Sequence, residues 1–225
     1  MNQMNLEVIN YLKQDVYNSI INDVRDIAIY HSRRKFKKKG GFFSIPRQVF
    51  CYVDFLGSIA YDNKSTTKNA IDFIKEYFPK ERKYYELADL IYSMWRHGLV
   101  HEYAPKRIYC DDERLSIVGI SWRSVNSAAN RDRKDHLKIC FRPNSNRDLY
   151  LNINVCQLVD DLLVALQSFI TKLESDSNFA NQCDKRLYII RAMKSYKDLQ
   201  GNQNYKANIK AQIIKCWGAR IQKSL

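Results

Sequence analysis

The stretch Trp95-Arg96-His97-Gly98-Leu99-Val100-His101-Glu102-Tyr103 concentrates proton-transfer and phosphate-binding groups within about two helical turns. Two of the four histidines in the 225-residue chain lie here. An imidazole near its ordinary pKa gives or takes a proton at neutral pH. A guanidinium fork matches the oxygens of a phosphate and never loses its charge. RNA carries its own nucleophile, the ribose 2′-hydroxyl, so a positioned histidine and arginine suffice to promote its cleavage.

The spacing constrains how these groups can cooperate. Five positions along a regular α-helix rotate by about 140°, so Arg96 and His101 fall on different faces of an ideal helix. Either Gly98 loosens or ends the helix, or the site is composite. His97 and His101 are four apart and share a face, which raises a two-histidine metal site with Glu102 or a distant carboxylate. The glutamate that a zinc-protease helix needs directly after its first histidine is missing, and two ligands do not make a site. We therefore expect no metal and no cofactor. A structural alternative stays open, in which Arg96 and His101 pair with carboxylates or carbonyls and pin helices together.

Arg followed directly by Asn, Asp or His, with a further His a few residues on, is the signature of the HEPN family of helical domains. Arg96, His97 and His101 match it, and the stretch resembles that family in arriving near the end of an amphipathic helix. The resemblance implies a helical bundle over about 42–105 and metal-independent endoribonuclease chemistry. It implies that His101 is the general base or acid, that Arg96 holds the scissile phosphate and that His97 orients or polarises. Toxin or phage-defence roles are typical of such proteins. The family commonly forms its site where two copies of the motif face each other. Together with the opposite faces of Arg96 and His101, this implies a homodimer with the 84–101 helix at its interface.

The surrounding elements follow from periodicity. Leu6, Ile9, Leu12, Val16, Ile20, Val24 and Ile27 predict a helix over 5–32. A second begins near Pro46 with an apolar face of Val49, Phe50, Val53, Leu56 and Ile59. Ser65 caps a third, stopped by Pro79, and a fourth runs from near Lys80 into the motif. Alternation in Leu115/Ile117, Leu137/Ile139/Phe141 and Leu149/Leu151/Ile153/Val155 predicts three or four antiparallel strands. Helix returns at 156–174, near 179–199 and at 203–222. The fold class is an α-dominated α+β protein: one domain over 1–225, a helical bundle with a small antiparallel sheet inserted around 107–155, and a basic helical part over 156–225.

Thirty-seven Lys and Arg against 24 Asp and Glu give a net charge of +13. That balance favours an anionic partner, RNA first and an acidic protein second. The surplus gathers in two places. Arg33, Arg34, Lys35, Lys37, Lys38 and Lys39 form a run that is either a solvated helix end or a phosphate-contacting patch. From Cys183 onward there are ten Lys or Arg and two Asp. The six cysteines form no C-x-x-C pair and read as buried free thiols of a reducing cytoplasm. Glu7 and Asp15 argue against a signal peptide, and no apolar run is long enough to span a membrane. His31 is expected to face water, His136 at the start of a strand to face water or the insertion loop, and at least one of Asp160 and Asp161 to face solvent. The alternative function is a non-catalytic binding module for nucleic acid or an acidic protein.

Overall fold

Val8, Leu12, Val16, Ile20, Val24 and Ala28 are all buried, at every fourth position of the first helix. An α-helix has 3.6 residues per turn, so a repeat of four drifts around it. The chain absorbs the drift with two π turns. Helix α1 (3–33) runs as α-helical Gln3–Tyr11, π-helical Leu12–Val16, α-helical Tyr17–Ile20, π-helical Ile21–Arg25 and α-helical Asp26–Arg33. An i→i+5 turn holds more residues than an α turn, and the six side chains stay on one side. This step of four leaves Ile27 exposed, against the expected pattern, and brings Val8 and Ala28 inward.

The structure is a computed structural model that describes residues 3–33, 43–101, 104–109, 119–125, 133–144, 148–192 and 203–221, for some of them the backbone alone. It falls into two units, 1–187 and 188–225. In the first unit the further helices are α2 (Ser44–Ala60), α3 (Thr66–Tyr77), α4 (84–101) and α5 (Val155–Ser175), with α6 (Ser177–Arg191) beginning here. The predicted face of α2 is buried throughout. Ser65 caps α3, its side chain accepting the Lys68 N–H at 3.3 Å. Residues 80–83 form a turn, closed by Arg82 N–H on the Pro79 carbonyl, so α4 starts at Tyr84, later than expected. Helix α5 is central, packing against α1, α2 and α3 through Leu158, Leu162, Leu166 and Phe169. Gly57 allows α2 and α3 to touch: a Cβ there would lie 2.7 Å from the Asn69 carbonyl oxygen.

Four strands form one sheet in the order β1-β2-β4-β3: β1 (Ile108–Tyr109), β2 (Gly119–Val125), β3 (Ile139–Phe141) and β4 (Asp148–Asn154). The expectation of a purely antiparallel sheet is corrected here. The β1–β2 and β3–β4 pairs are antiparallel, but β2 and β4 run parallel. Alternation reports which residues face the core, not the direction of the neighbour. Leu151 and Ile153 are buried, and Val155 is already the first residue of α5. Leu137 is a buried turn residue with φ 62° rather than a strand residue. Leu115 and Ile117 lie outside the described residues.

The second unit holds the end of α6 from Tyr188 and α7 (Gln203–Ile221). Tyr188, Ile189, Tyr205 and Ile214 are exposed there.

Candidate functional site

Helix α4 changes its winding at the motif. Tyr84–Ile91 is α-helical, Tyr92–His97 is a π turn, and Gly98–His101 is α-helical again. Such turns are rare and recur at functional sites. The wide turn stacks side chains five apart. The His97 ring meets Tyr92 edge-on, with centroids 5.3 Å apart. The Arg96 guanidinium lies 6.0 Å from the same ring. In a regular α-helix Tyr92 and His97 would point about 140° apart.

Opposite this turn stands Asp54 of α2. Its carboxylate accepts the Tyr92 hydroxyl at 2.7 Å with one oxygen and Arg96 Nε at 2.9 Å with the other. The Asp54 and Arg96 side chains are each 22% exposed, so the pair is held but reaches solvent. Burial works against the Arg96 charge, and the hydrogen bond and charge of Asp54 outweigh it, raising its pKa. Burial raises the Tyr92 phenol, reinforced by Asp54. Partial desolvation of the sulfur, followed by the Asp54 charge, also raises the thiol of Cys51, one turn back on α2, although the residue as a whole is exposed. Cys51 is exposed and Cys140 half-buried, which corrects the expectation that the cysteines are buried; Cys156 and Cys183 are buried. Burial pushes the Cys183 thiol up to about 12. Cys110 and the Cys216 side chain lie outside the described residues.

Gly98 does not end the helix. It allows the chain after the motif to fold back against it: a Cβ would lie 2.4 Å from the Ala104 carbonyl oxygen and 2.6 Å from Lys106 N. Lys106 N–H donates to the Met94 carbonyl at 2.8 Å and pins that return. His101 is the last described residue of α4, and only its backbone is described. The structure therefore brings Arg96 and His97 to one cluster with Asp54, Tyr92 and Cys51, and places His101 one turn further along. Arg33 ends α1, but its side chain, like all of Arg34, Lys35, Lys37, Lys38 and Lys39, lies outside the described residues.

Asp54 and Tyr92 are the functional candidates that the motif alone does not reveal. One signal was present: Asp54 is the single carboxylate in Ser44–Ala60. An acid in an otherwise apolar helix needs a buried or half-buried partner.

A second polar network reverses the reading of His136. The residue is buried, not solvated. The backbone N–H of Asn154 donates to its Nδ1 at 2.9 Å. The proton of the neutral ring is thus on Nε2, which donates to the Tyr84 hydroxyl at 2.8 Å. Tyr84 donates in turn to Asp161 at 2.9 Å. Gln157 and Arg82 complete the Asp161 carboxylate at 2.8 and 3.2 Å. Burial, then the Arg82 charge, lowers the His136 pKa to about 3. Burial raises Asp161 despite its donors, and raises Tyr84 strongly. Asp160, beside it, faces outward to Arg133 and to Arg25 of a π turn in α1, at 2.5 and 3.3 Å.

Among the described residues no group of three or more His, Cys, Asp or Glu is placed to hold a metal ion. No described helix is long and apolar enough to cross a membrane. Comparison of the chain with protein-family models, with curated proteins and with solved structures returns no match.

Proposed function

We propose that the chain is an HEPN-like, metal-independent endoribonuclease whose site is centred on Arg96, His97 and His101. The observation that supports this most is the solvent-reaching cluster at the π turn, where Asp54 fixes the plane of the Arg96 guanidinium. In this reading the 2′-hydroxyl of RNA attacks the adjacent phosphorus and the 5′-oxygen leaves, giving a cyclic phosphate. His101 transfers the proton, Arg96 offsets the charge that grows on the phosphoryl oxygens, and His97 orients the substrate. Asp54 and Tyr92 act as positioning residues. The backbone is α-helical again over Gly98–His101, and five positions of a regular α-helix span about 140° of rotation. We assign the complete site to a homodimer that pairs Arg96 of one copy with His101 of the other.

The test is incubation of the purified protein with single-stranded RNA in excess EDTA. Cleavage to cyclic-phosphate ends is expected. An equimolar mixture of Arg96→Ala and His101→Ala proteins should recover part of the activity lost in each. Full activity of His101→Ala, correctly folded, removes that residue from the mechanism.

One observation favours the non-catalytic alternative: Arg96 is already paired with a protein carboxylate. In that reading Arg96 ties α4 to α2, and the chain's positive charge binds RNA or an acidic protein without cleaving it. Binding without product in the same assay selects it.

A further inference from the structure

The face of the sheet opposite the buried Leu151 and Ile153 carries Tyr109, Gly119, Ser121, Asp148 and Tyr150. The strand registers order it into two rows. Tyr109, Gly119 and Asp148 lie across β1, β2 and β4, and Arg142 extends the row, its N–H donating to the Asp148 carbonyl at 2.8 Å. In the adjacent row Ser121, Tyr150 and Cys140 pair across β2, β4 and β3, with Arg107 preceding Ile108 on the β1 side. Glycine and serine in the middle strand leave a hollow between the two tyrosines. The resulting cleft is about 200 Å³, with Arg107 at one side and Arg142 at the other.

Tyr109 is 76% exposed although it stands on a sheet. One edge of its ring sits beside Gly119, where a Cβ would come within 3.4 Å of Cδ1. A largely exposed aromatic ring on a strand, beside a residue with no side chain, is a stacking platform. Every nucleobase offers a π face to such a platform, whatever its sequence. Arg107 and Arg142 are exposed and enter no ion pair among the described residues. They supply positive charge at both ends of the cleft, where a backbone would enter and leave. Asp148 stands at the centre of the row, where its charge opposes phosphate and leaves the backbone to the two ends.

We propose that this cleft binds single-stranded nucleic acid, stacking a base on Tyr109 and taking the flanking phosphates on Arg107 and Arg142. The site uses nothing from Arg96, His97 or His101, and it stands whether or not the chain cleaves RNA.

The test is fluorescence anisotropy of the full chain with a labelled 2′-O-methyl oligouridylate. That probe lacks the nucleophile, so cleavage and binding are read separately. Tyr109→Ala should weaken binding about tenfold or more, and Tyr109→Phe should bind as the parent does. Arg107→Ala and Arg142→Ala should each reduce the slope of log affinity against log salt by about 0.7. Asp148→Asn should tighten binding. Tyr109, Arg107 and Arg142 are exposed and Asp148 is half-buried, and circular dichroism checks folding. Unchanged affinity in Tyr109→Ala, or equal loss in Tyr109→Phe, overturns the stacking site. So does displacement of the probe by a polyglutamate peptide whose own affinity is indifferent to Tyr109. A DNA oligomer of the same sequence separates RNA from single strands in general: equal binding supports the site as stated, and failure of both probes overturns it.

Discussion

Helix α4 contributes to two constellations built from the same residue types, and burial makes them different objects. At its start Tyr84 joins His136, Asp161 and Arg82 in a network where the histidine and tyrosine are sealed from water. About two turns on, Tyr92 joins Asp54, Arg96 and His97 in a cluster that solvent reaches. The first His is locked in one tautomer by a backbone donor and held neutral. A neutral, inaccessible imidazole holds architecture together but transfers no proton to a ligand. The second cluster keeps a charge at the surface and a fixed donor plane. Residue type therefore does not separate a scaffold from a candidate site here; access does.

The largest expected effect breaks the comparison or secures it. His101→Ala should slow RNA cleavage by about 10²–10⁴-fold with the melting temperature unchanged. Tyr84→Phe should do the reverse, leaving cleavage intact in the folded protein. If His101→Ala instead lowers stability as much as Tyr84→Phe, both regions are scaffolds.

Tyr84→Phe removes the hydroxyl that links His136 to Asp161 and leaves two buried partners short of a bond. A loss of about 1–3 kcal/mol should appear in urea unfolding at pH 7. This is large against the total stability of a domain.

The pH dependence sharpens the contrast further. The His136 pKa is about 3 when folded and about 6.5 when unfolded. Between these values the unfolded chain binds the extra proton. His136 therefore carries no penalty above pH 6.5, and stability falls as pH drops below it, by up to about 1.4 kcal/mol per unit. Asp161, raised by burial, takes up a proton more readily in the folded state and offsets part of this loss at the acid end. Unfolding midpoints at pH 7 and 5 should diverge more in the parent than in His136→Gln. A parallel shift in both would show that His136 is not what destabilises the protein in acid.

The smallest effect belongs to Asp54→Asn. The amide keeps a hydrogen bond to Arg96 and removes a charge that is partly screened by solvent. Cleavage should slow by less than about tenfold, in kcat rather than KM, because Asp54 positions a group and does not bind substrate. A pure rise in KM would place Asp54 in contact with RNA.

Much of the helical frame was legible from apolar spacing: α2, α3 and α5 bury the faces their sequences display. The capping role of Ser65 was legible too, because capping is local. What escaped depended on distant partners. His136 sits among charged neighbours, yet Tyr84 and Asn154, which hydrogen-bond its ring, are 52 and 18 residues away. Asp54 and Arg96 are separated by 42 residues. The parallel β2–β4 pairing left no mark on strand alternation. In the motif, the three residue types were visible but the winding of the helix beneath them was not. A winding of 3.6 residues per turn does not hold at Tyr92–His97, where the chain uses a π turn.

Helical winding in this protein behaves like a vernier. A scale of four, written in apolar residues, is read against a scale of 3.6, set by backbone hydrogen bonds, and each π turn resets the offset. The same device acts at Tyr92–His97, where one additional residue per turn decides which side chains meet. Deleting a single residue there would restore the ordinary pitch and move everything beyond it by about 100° around the axis. His97 would leave Tyr92, while the apolar composition of the helix would scarcely change. Chain length at this turn is thus a specification in its own right, to which substitution scans are blind and single-residue deletions are not.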